Sequence, residues 1–156
     1  MANEVRIERL ANHREYLPVI ALWFEREWPS YYGVNGQANA EADLRSYANH
    51  TVLPVGIIAF CDGKPCGVAA LKPDSISSRS HLTPWAGAGF VLSSFRRRGI
   101  GAKLLAGVEQ LAREFGFVRV YCATSTSASL LERNGWHFVE RVNHAGELLN
   151  IYETAP

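Results

Sequence analysis

From Gly99 to Phe115, apolar residues recur at helical spacing: Ile100, Leu104, Leu105, Val108, Leu111, Ala112 and Phe115. Strand-like runs flank this stripe, Trp85 to Leu92 before it and Val118 to Ala123 after it. Gly116 suits the helix end. A strand, a helix and a strand with one stripe to bury close into a right-handed parallel crossover. Hairpin patterns on either side of the unit add antiparallel pairing, so the predicted sheet is mixed.

The rest of the chain arranges itself around that unit. Val5 to Leu10 alternates as Val-Arg-Ile-Glu-Arg-Leu, the pattern of a short half-buried strand. Asn12 and Glu15 have capping-box spacing, and Pro18 places a helix start near Tyr16 or Leu17. Leu17, Ile20, Ala21, Phe24 and Trp28 share one helical face, and Pro29 ends the helix. Trp28-Pro29-Ser30-Tyr31-Tyr32-Gly33 reads as an aromatic loop. Ala40 to His50 is a second short helix behind an Asn39 cap. Val55 to Phe60 and Cys66 to Leu71 pair across an Asp62-Gly63-Lys64 turn. Pro73 to Thr83 is a serine-rich loop without periodicity, a type in which mobility is expected. Gly87 and Gly89 interrupt the next strand and mark a bulge or the close approach of a backbone or ligand. Ser127 to Asn134 is a short helix capped by Ser127 or Ser129. Trp136 to Val142 and Leu148 to Glu153 form a closing hairpin around Asn143 to Glu147. The predicted order is β-α-α-β-β-β-α-β-α-β-β, an α/β chain with a mixed sheet, and residues 1–156 form a single domain.

Composition narrows the function classes. The chain is 47% hydrophobic and 20% charged, which is ordinary for a folded globular domain. A net charge of +1 supplies no global field toward nucleic acid or a membrane, so any anion site must be local. Cys61, Cys66 and Cys122 are few and odd in number, which fits free thiols in a reducing compartment. The histidines are scattered and none pairs with a cysteine at ligand spacing, so no metal is expected. Met1-Ala2-Asn3-Glu4 opens no signal peptide and no run approaches membrane-spanning length. A cytoplasmic location is the expectation.

The local anion site has a clear candidate. Phe95-Arg96-Arg97-Arg98-Gly99-Ile100-Gly101-Ala102-Lys103 places three arginines and two glycines at the start of the long helix. Helix N-termini point unpaired N–H groups outward and carry partial positive charge. Arginines there oppose the dipole, and a bound phosphate or pyrophosphate relieves that conflict. Two nucleotide motifs fail: Gly101 is followed by Ala102 and Lys103 rather than Lys-Ser/Thr, and Leu104 stands where a dinucleotide fingerprint needs its third glycine.

Val91-Leu92-Ser93-Ser94-Phe95-Arg96-Arg97-Arg98-Gly99-Ile100-Gly101 resembles motif A of the GNAT superfamily of acyl-CoA-dependent N-acyltransferases. Arg96, Gly99 and Gly101 match its Arg/Gln-x-x-Gly-x-Gly/Ala pattern. Leu130-Leu131-Glu132-Arg133-Asn134-Gly135-Trp136 is similar to a second family segment, and the element order agrees over nearly the whole chain. The resemblance implies a GNAT-like fold with acetyl-CoA between the strand ending at Leu92 and the strand ending at Ala123. It implies main-chain pairing of the pantetheine arm at Gly89, Phe90 and Val91. Arg96, Arg97, Arg98, Gly99, Ile100, Gly101 and Ala102 would hold the pyrophosphate.

The sequence departs from the family at the tyrosine that protonates the leaving thiolate, whose place is taken by Leu131. Thr124 stands where the family often has Asn. Tyr121, Ser125, Ser127 and Ser129 are the nearby hydroxyls, and Glu25, Glu27 and His81 are candidate bases. No catalytic residue is assigned by the sequence; of these, Glu27, Tyr121 and Ser129 are the candidates. Trp28, Tyr31, Tyr32 and Trp85 are the rings expected to face an acceptor, with packing as the rival role for each. The expected activity is acetyl transfer to a primary amine of a small molecule or peptide. The rival is a weakly catalytic or non-catalytic acyl-CoA sensor. Neither nucleic acid nor a membrane is an expected partner, and exposed strand edges near the C-terminal hairpin permit a homodimer.

Overall fold

The computed structural model describes residues 4–156, so the reading of Met1-Ala2-Asn3 lies outside the described residues. One seven-stranded sheet is built from β1 (Val5–Arg9), β2 (Val55–Cys61), β3 (Lys64–Lys72), β4 (Trp85–Val91), β5 (Val120–Thr124), β6 (His137–His144) and β7 (Glu147–Thr154). Their spatial order is β1-β2-β3-β4-β5-β7-β6. Among the described residues, only β4 and β5 are parallel neighbours; the other pairs are antiparallel. Three helices, α1 (Leu17–Glu27), α2 (Pro29–Tyr32) and α3 (Ala40–Tyr47), precede β2. The long helix α4 (Ile100–Glu114) is the predicted crossover, and α5 (Ala128–Arg133) joins β5 to β6.

The sheet carries a core on each face. Ile57 and Ala59 of β2 meet Leu104, Val108 and Leu111 of α4 on one side. Ile58 and Phe60 meet Ile20 and Phe24 of α1 and Leu44 of α3 on the other. Alternate residues of β2 thus serve opposite layers, which explains its unbroken apolar run. Gly107 sets how closely α4 lies: a Cβ there would stand 2.7 Å from Cδ1 of Ile57.

Several local expectations are corrected. The aromatic loop contains a short helix, α2, because Pro29 presets the first helical φ and Tyr32 N–H reaches Trp28 O at 2.8 Å. Trp28 lies beyond α1 as its C-cap. Asn12 caps nothing: two 3-10 turns intervene, and its Oδ1 lies 3.1 Å from His50 Nε2. Asn39 does cap α3, accepting from Ala42 N–H at 2.8 Å. The closing hairpin turns on two residues only, Ala145 and Gly146, both at positive φ, the type I′ geometry that suits strand twist.

The serine-rich loop is packed. Ile76 is buried with Trp85, Val142 and Ile151 in a third apolar cluster. Arg79 also pins the loop to β6, with its Nη2 and Nε donating to Glu140 Oε1 at 2.6 and 3.1 Å.

Candidate active site

β4 and β5 begin side by side and then part. Their parallel ladder holds only the pair Trp85 and Tyr121, with Tyr121 N–H donating to Pro84 O at 3.0 Å. β4 carries the reason. Against β3, Phe90 pairs with Val68 but Gly87 pairs with Ala70, so β4 holds one extra residue. Such a bulge bends the strand that contains it. Ala88 takes the strain with φ +53°, between the two glycines, so of the two readings open in the sequence the bulge is the one observed. β5 is meanwhile held by β7 along all five of its residues.

The divergence opens a cleft of about 650 Å3 on the α4 side of the sheet. β4 lines it with Gly87, Gly89, Phe90 and Val91, and β5 with Cys122. The start of α4 contributes Gly99, Ile100, Gly101 and Ala102, behind Arg96 and Arg97, and α5 contributes Ser127, Leu130, Leu131, Arg133 and Asn134. Every residue expected to hold the cofactor is therefore brought to one cleft except Arg98. The Arg98 guanidinium lies 5.3 Å from the Phe95 ring centroid, outside the lining.

The mouth of the cleft is built for negative charge. Gly99 begins α4 at φ +77°, in the left-handed region, so the chain turns into the helix without a capping side chain. No acidic residue occupies the first turn. The N–H groups of Ile100, Gly101 and Ala102 precede the first helical bond, Lys103 N–H to Gly99 O at 3.2 Å. Arg97, also at positive φ, adds charge at the same point.

Arg96 is tied into the protein. Its Nε donates to Val91 O at 2.9 Å, its guanidinium lies 5.7 Å from the Phe90 ring centroid, and its Nη2 stands 3.8 Å from Glu27 Oε2. These contacts brace the turn between β4 and α4. They also link the cleft to a second groove, of about 280 Å3, lined by Trp23, Arg26, Glu27, Phe90, Leu92, Ser93 and Arg96.

The catalytic candidates separate. Glu27 is exposed and lies in the second groove. Tyr121 is partly buried against Trp85, at a centroid distance of 5.6 Å, and is outside the cleft lining. Ser129 is exposed on α5, and Ser127 rather than Ser129 lines the cleft. Leu131 is 1% exposed, sharing the main core, and presents only carbon to the cleft. Thr124 serves the backbone. Its Oγ1 accepts from Thr126 N–H at 3.1 Å and Ser127 N–H at 2.8 Å, which starts α5 in place of a serine cap.

The aromatic candidates also divide. Trp85 is 0% exposed and its indole N–H donates to Leu82 O at 2.7 Å, so it is a core ring and not a cleft wall. Tyr32 stacks on Phe24 and donates to Asp43 Oδ2 at 2.7 Å; burial, then this bond, hold its phenol well above the usual range. Trp28 packs edge-on to Phe24 and Phe90. Tyr31, 45% exposed, is the open ring of the set. Sequence reasoning misses Trp23 and Phe90 as groove walls, because Trp23 falls off the predicted face of α1 and Phe90 is expected at the site through its backbone alone. It also leaves Cys122 unassigned. The one available signal is parity: Cys122 and Val120 share a face of β5, and both join the α4 core.

Among the described residues, no three His, Cys, Asp or Glu side chains gather as metal ligands, and no helix is long and apolar enough to cross a membrane.

A search of curated proteins returns no significant match. Among solved structures, an aminoglycoside 6'-N-acetyltransferase complexed with coenzyme A aligns at TM-score 0.78 and 14% identity, covering 96% of each chain. The Salmonella typhimurium protein yncA with its cofactor acetyl-CoA aligns at TM-score 0.74 and 15% identity, over 99% of this chain and 94% of that one. The aminoglycoside N-acetyltransferase AAC(6')-Iy in complex with CoA aligns at TM-score 0.71 and 22% identity, over 91% and 93%. At these identities the likeness is one of fold. The sequence carries the assignment further, since the model of the acetyltransferase (GNAT) family matches residues 19–136, a span that runs from α1 past the split strands to the end of α5. With the cleft opening inside that span, the chain belongs to the acetyltransferase (GNAT) family.

Proposed function

We propose that the protein moves an acetyl group from acetyl-CoA to a primary amine of a small molecule or peptide by direct attack. The observation that carries this is the uncapped, acid-free start of α4 at the mouth of the β4/β5 cleft. The residues fit the co-substrate. Three free N–H groups and Arg97 suit a pyrophosphate. The β4 edge from Gly89 to Val91, left by β5, suits a pantetheine arm paired as an added strand. A Cβ at Gly89 or Gly99 would meet no atom within 4 Å, so both backbones face open space.

In the proposed reaction the amine nitrogen bonds to the acetyl carbon, the carbon–sulfur bond breaks, and the amine sheds a proton. Leu131 can donate none, so the sulfur departs as thiolate or takes a proton from water. A thiol with pKa of about 8.5 leaves as an anion near neutral pH without great difficulty. Alignment of the two reactants then supplies much of the rate.

Cys122 raises the alternative of a covalent acetyl-cysteine, and its environment argues against that. Cys122 is half-buried at the cleft wall, and its apolar surroundings push the thiol above its ordinary range, while only the thiolate is an effective nucleophile. Incubation with acetyl-CoA is expected to leave the intact mass of the chain unchanged, and iodoacetamide at pH 8 is expected to modify Cys122 far more slowly than after unfolding. An acetylated Cys122 in the digest would replace direct attack with a two-step route.

A second reading, an acyl-CoA sensor, is favoured by one observation: the buried Leu131 at the place of the family's proton donor. Calorimetry with acetyl-CoA and thiol release over peptides, polyamines, aminoglycosides and amino acids separate the two. Binding with turnover is the expected result. Binding without turnover selects the sensor, and no binding by folded protein ends both readings.

A further inference from the structure

We infer that the groove beside the cleft receives an amino carboxylate, an amino acid or a compound of that kind. Its carboxylate lies on Arg26, its ammonium faces Glu27, and its apolar side chain packs against Trp23 and Phe90. This rests on the acetyltransferase reading for the fate of the amine, though not for the binding itself.

The groove and the cleft share Phe90 and Arg96, so a molecule in one abuts the other across a single strand. Phe90 is two residues from the bulge at Ala88, about 6–7 Å along a strand, within reach of a small molecule held at Glu27. The groove is also small. A volume of about 280 Å3 falls just below the range of roughly 300–1,000 Å3 for drug-sized ligands, and suits one amino-acid-sized group.

Charge decides the class. The groove holds two arginines and one carboxylate. Arg96 is committed to Val91 O, to the Phe90 ring and, at 3.8 Å, to Glu27. Arg26 is exposed and makes no ion pair among the described residues. Glu27 has no polar side-chain contact among the described residues beyond the long one to Arg96. An available guanidinium and a weakly paired carboxylate on adjacent residues match a zwitterion, one end each. A polycation such as an aminoglycoside would bring several ammonium groups against two guanidiniums, which like-charge repulsion opposes. The apolar share is supplied by Trp23 and Phe90, whose centroids lie 5.9 Å apart. Recognition by Arg26 would be charge-assisted and able to grip both carboxylate oxygens.

The test uses calorimetry on CoA-saturated protein with L-phenylalanine and L-leucine, against phenethylamine and isoamylamine, which lack the carboxylate. The amino acids are expected to bind about tenfold more tightly than their decarboxylated partners, the scale of one hydrogen bond to a charged group. Arg26→Ala is expected to erase that preference, and Arg26→Lys to restore part of it. Glu27→Gln is expected to weaken the amino acids while sparing 3-phenylpropionate, which has the carboxylate and no amine. Equal binding of amines and amino acids, an Arg26→Ala variant that keeps the preference, or no binding of either amino acid would each overturn the inference. Arg26-dependent binding without thiol release would leave it standing and count against acetyl transfer instead.

Discussion

Gly101→Asp is expected to weaken acetyl-CoA binding by at least about 100-fold while leaving the thermal midpoint unchanged or higher. The two effects have opposite signs for one reason. A carboxylate in the first turn of α4 complements the helix dipole, so the fold gains slightly. The same carboxylate occupies the place proposed for the pyrophosphate, where each like-charge contact near 4 Å costs about 4 kcal/mol at an effective dielectric of 20. Space is available, since a Cβ at Gly101 would stand 3.4 Å from Leu130 Cδ2, an ordinary contact. Gly101→Ala is the control for bulk alone and is expected to cost little. Titration calorimetry and thermal melting of both variants check the pair. Unchanged affinity in Gly101→Asp would mean that the pyrophosphate lies elsewhere.

Trp85→Ala is expected to cost about 3–5 kcal/mol of stability, the range for removing a large buried ring. The midpoint should fall on the order of 10 °C for a chain of this size. Trp85 is 0% exposed, packs with Ile76, Val142 and Ile151, and uses its indole N–H on Leu82 O. It also belongs to the single pair that joins β4 to β5, so its loss should loosen the cleft as well. Tyr31→Ala removes a ring that is 45% exposed and is expected to change stability by less than about 1 kcal/mol. Denaturant unfolding of the two variants distinguishes a core ring from a surface ring. A Trp85→Ala protein as stable as the parent would return that ring to the set of acceptor walls.

The contrast between these two rings shows where sequence reasoning stops. Trp28, Tyr31, Tyr32 and Trp85 are alike as residue types, and by sequence each suits an acceptor-facing ring with packing as the rival. Their fates depend on partners far along the chain. Trp85 is covered by Ile76 from a loop whose composition suggests mobility, and that loop is held by Glu140 from β6, 61 residues beyond Arg79. Tyr32 is held by Asp43 of α3. No local pattern encodes such contacts. Arg98 teaches the same lesson within one motif: three consecutive arginines look equivalent, yet backbone geometry sends Arg97 to the cleft and Arg98 over Phe95.

Whatever has a period or a fixed local geometry is legible in the residues alone. The α4 stripe, the flanking strands and the glycine start of α4 are all short-range properties, readable within about twenty residues; Gly87 and Gly89 leave a bulge and a close approach both open, and only the β3–β4 register shows the bulge. Those short-range properties are enough to foresee the crossover and the anion-ready helix end. Where β5 leaves β4, and therefore which groups face the space between them, depends on the assembled sheet. That divergence is set by a bulge on one strand and by β7 holding the other, two elements that meet only when the sheet is complete. The cleft follows from it, whereas the groove behind Phe90 comes from α1 packing across β4, with Trp23 against Phe90.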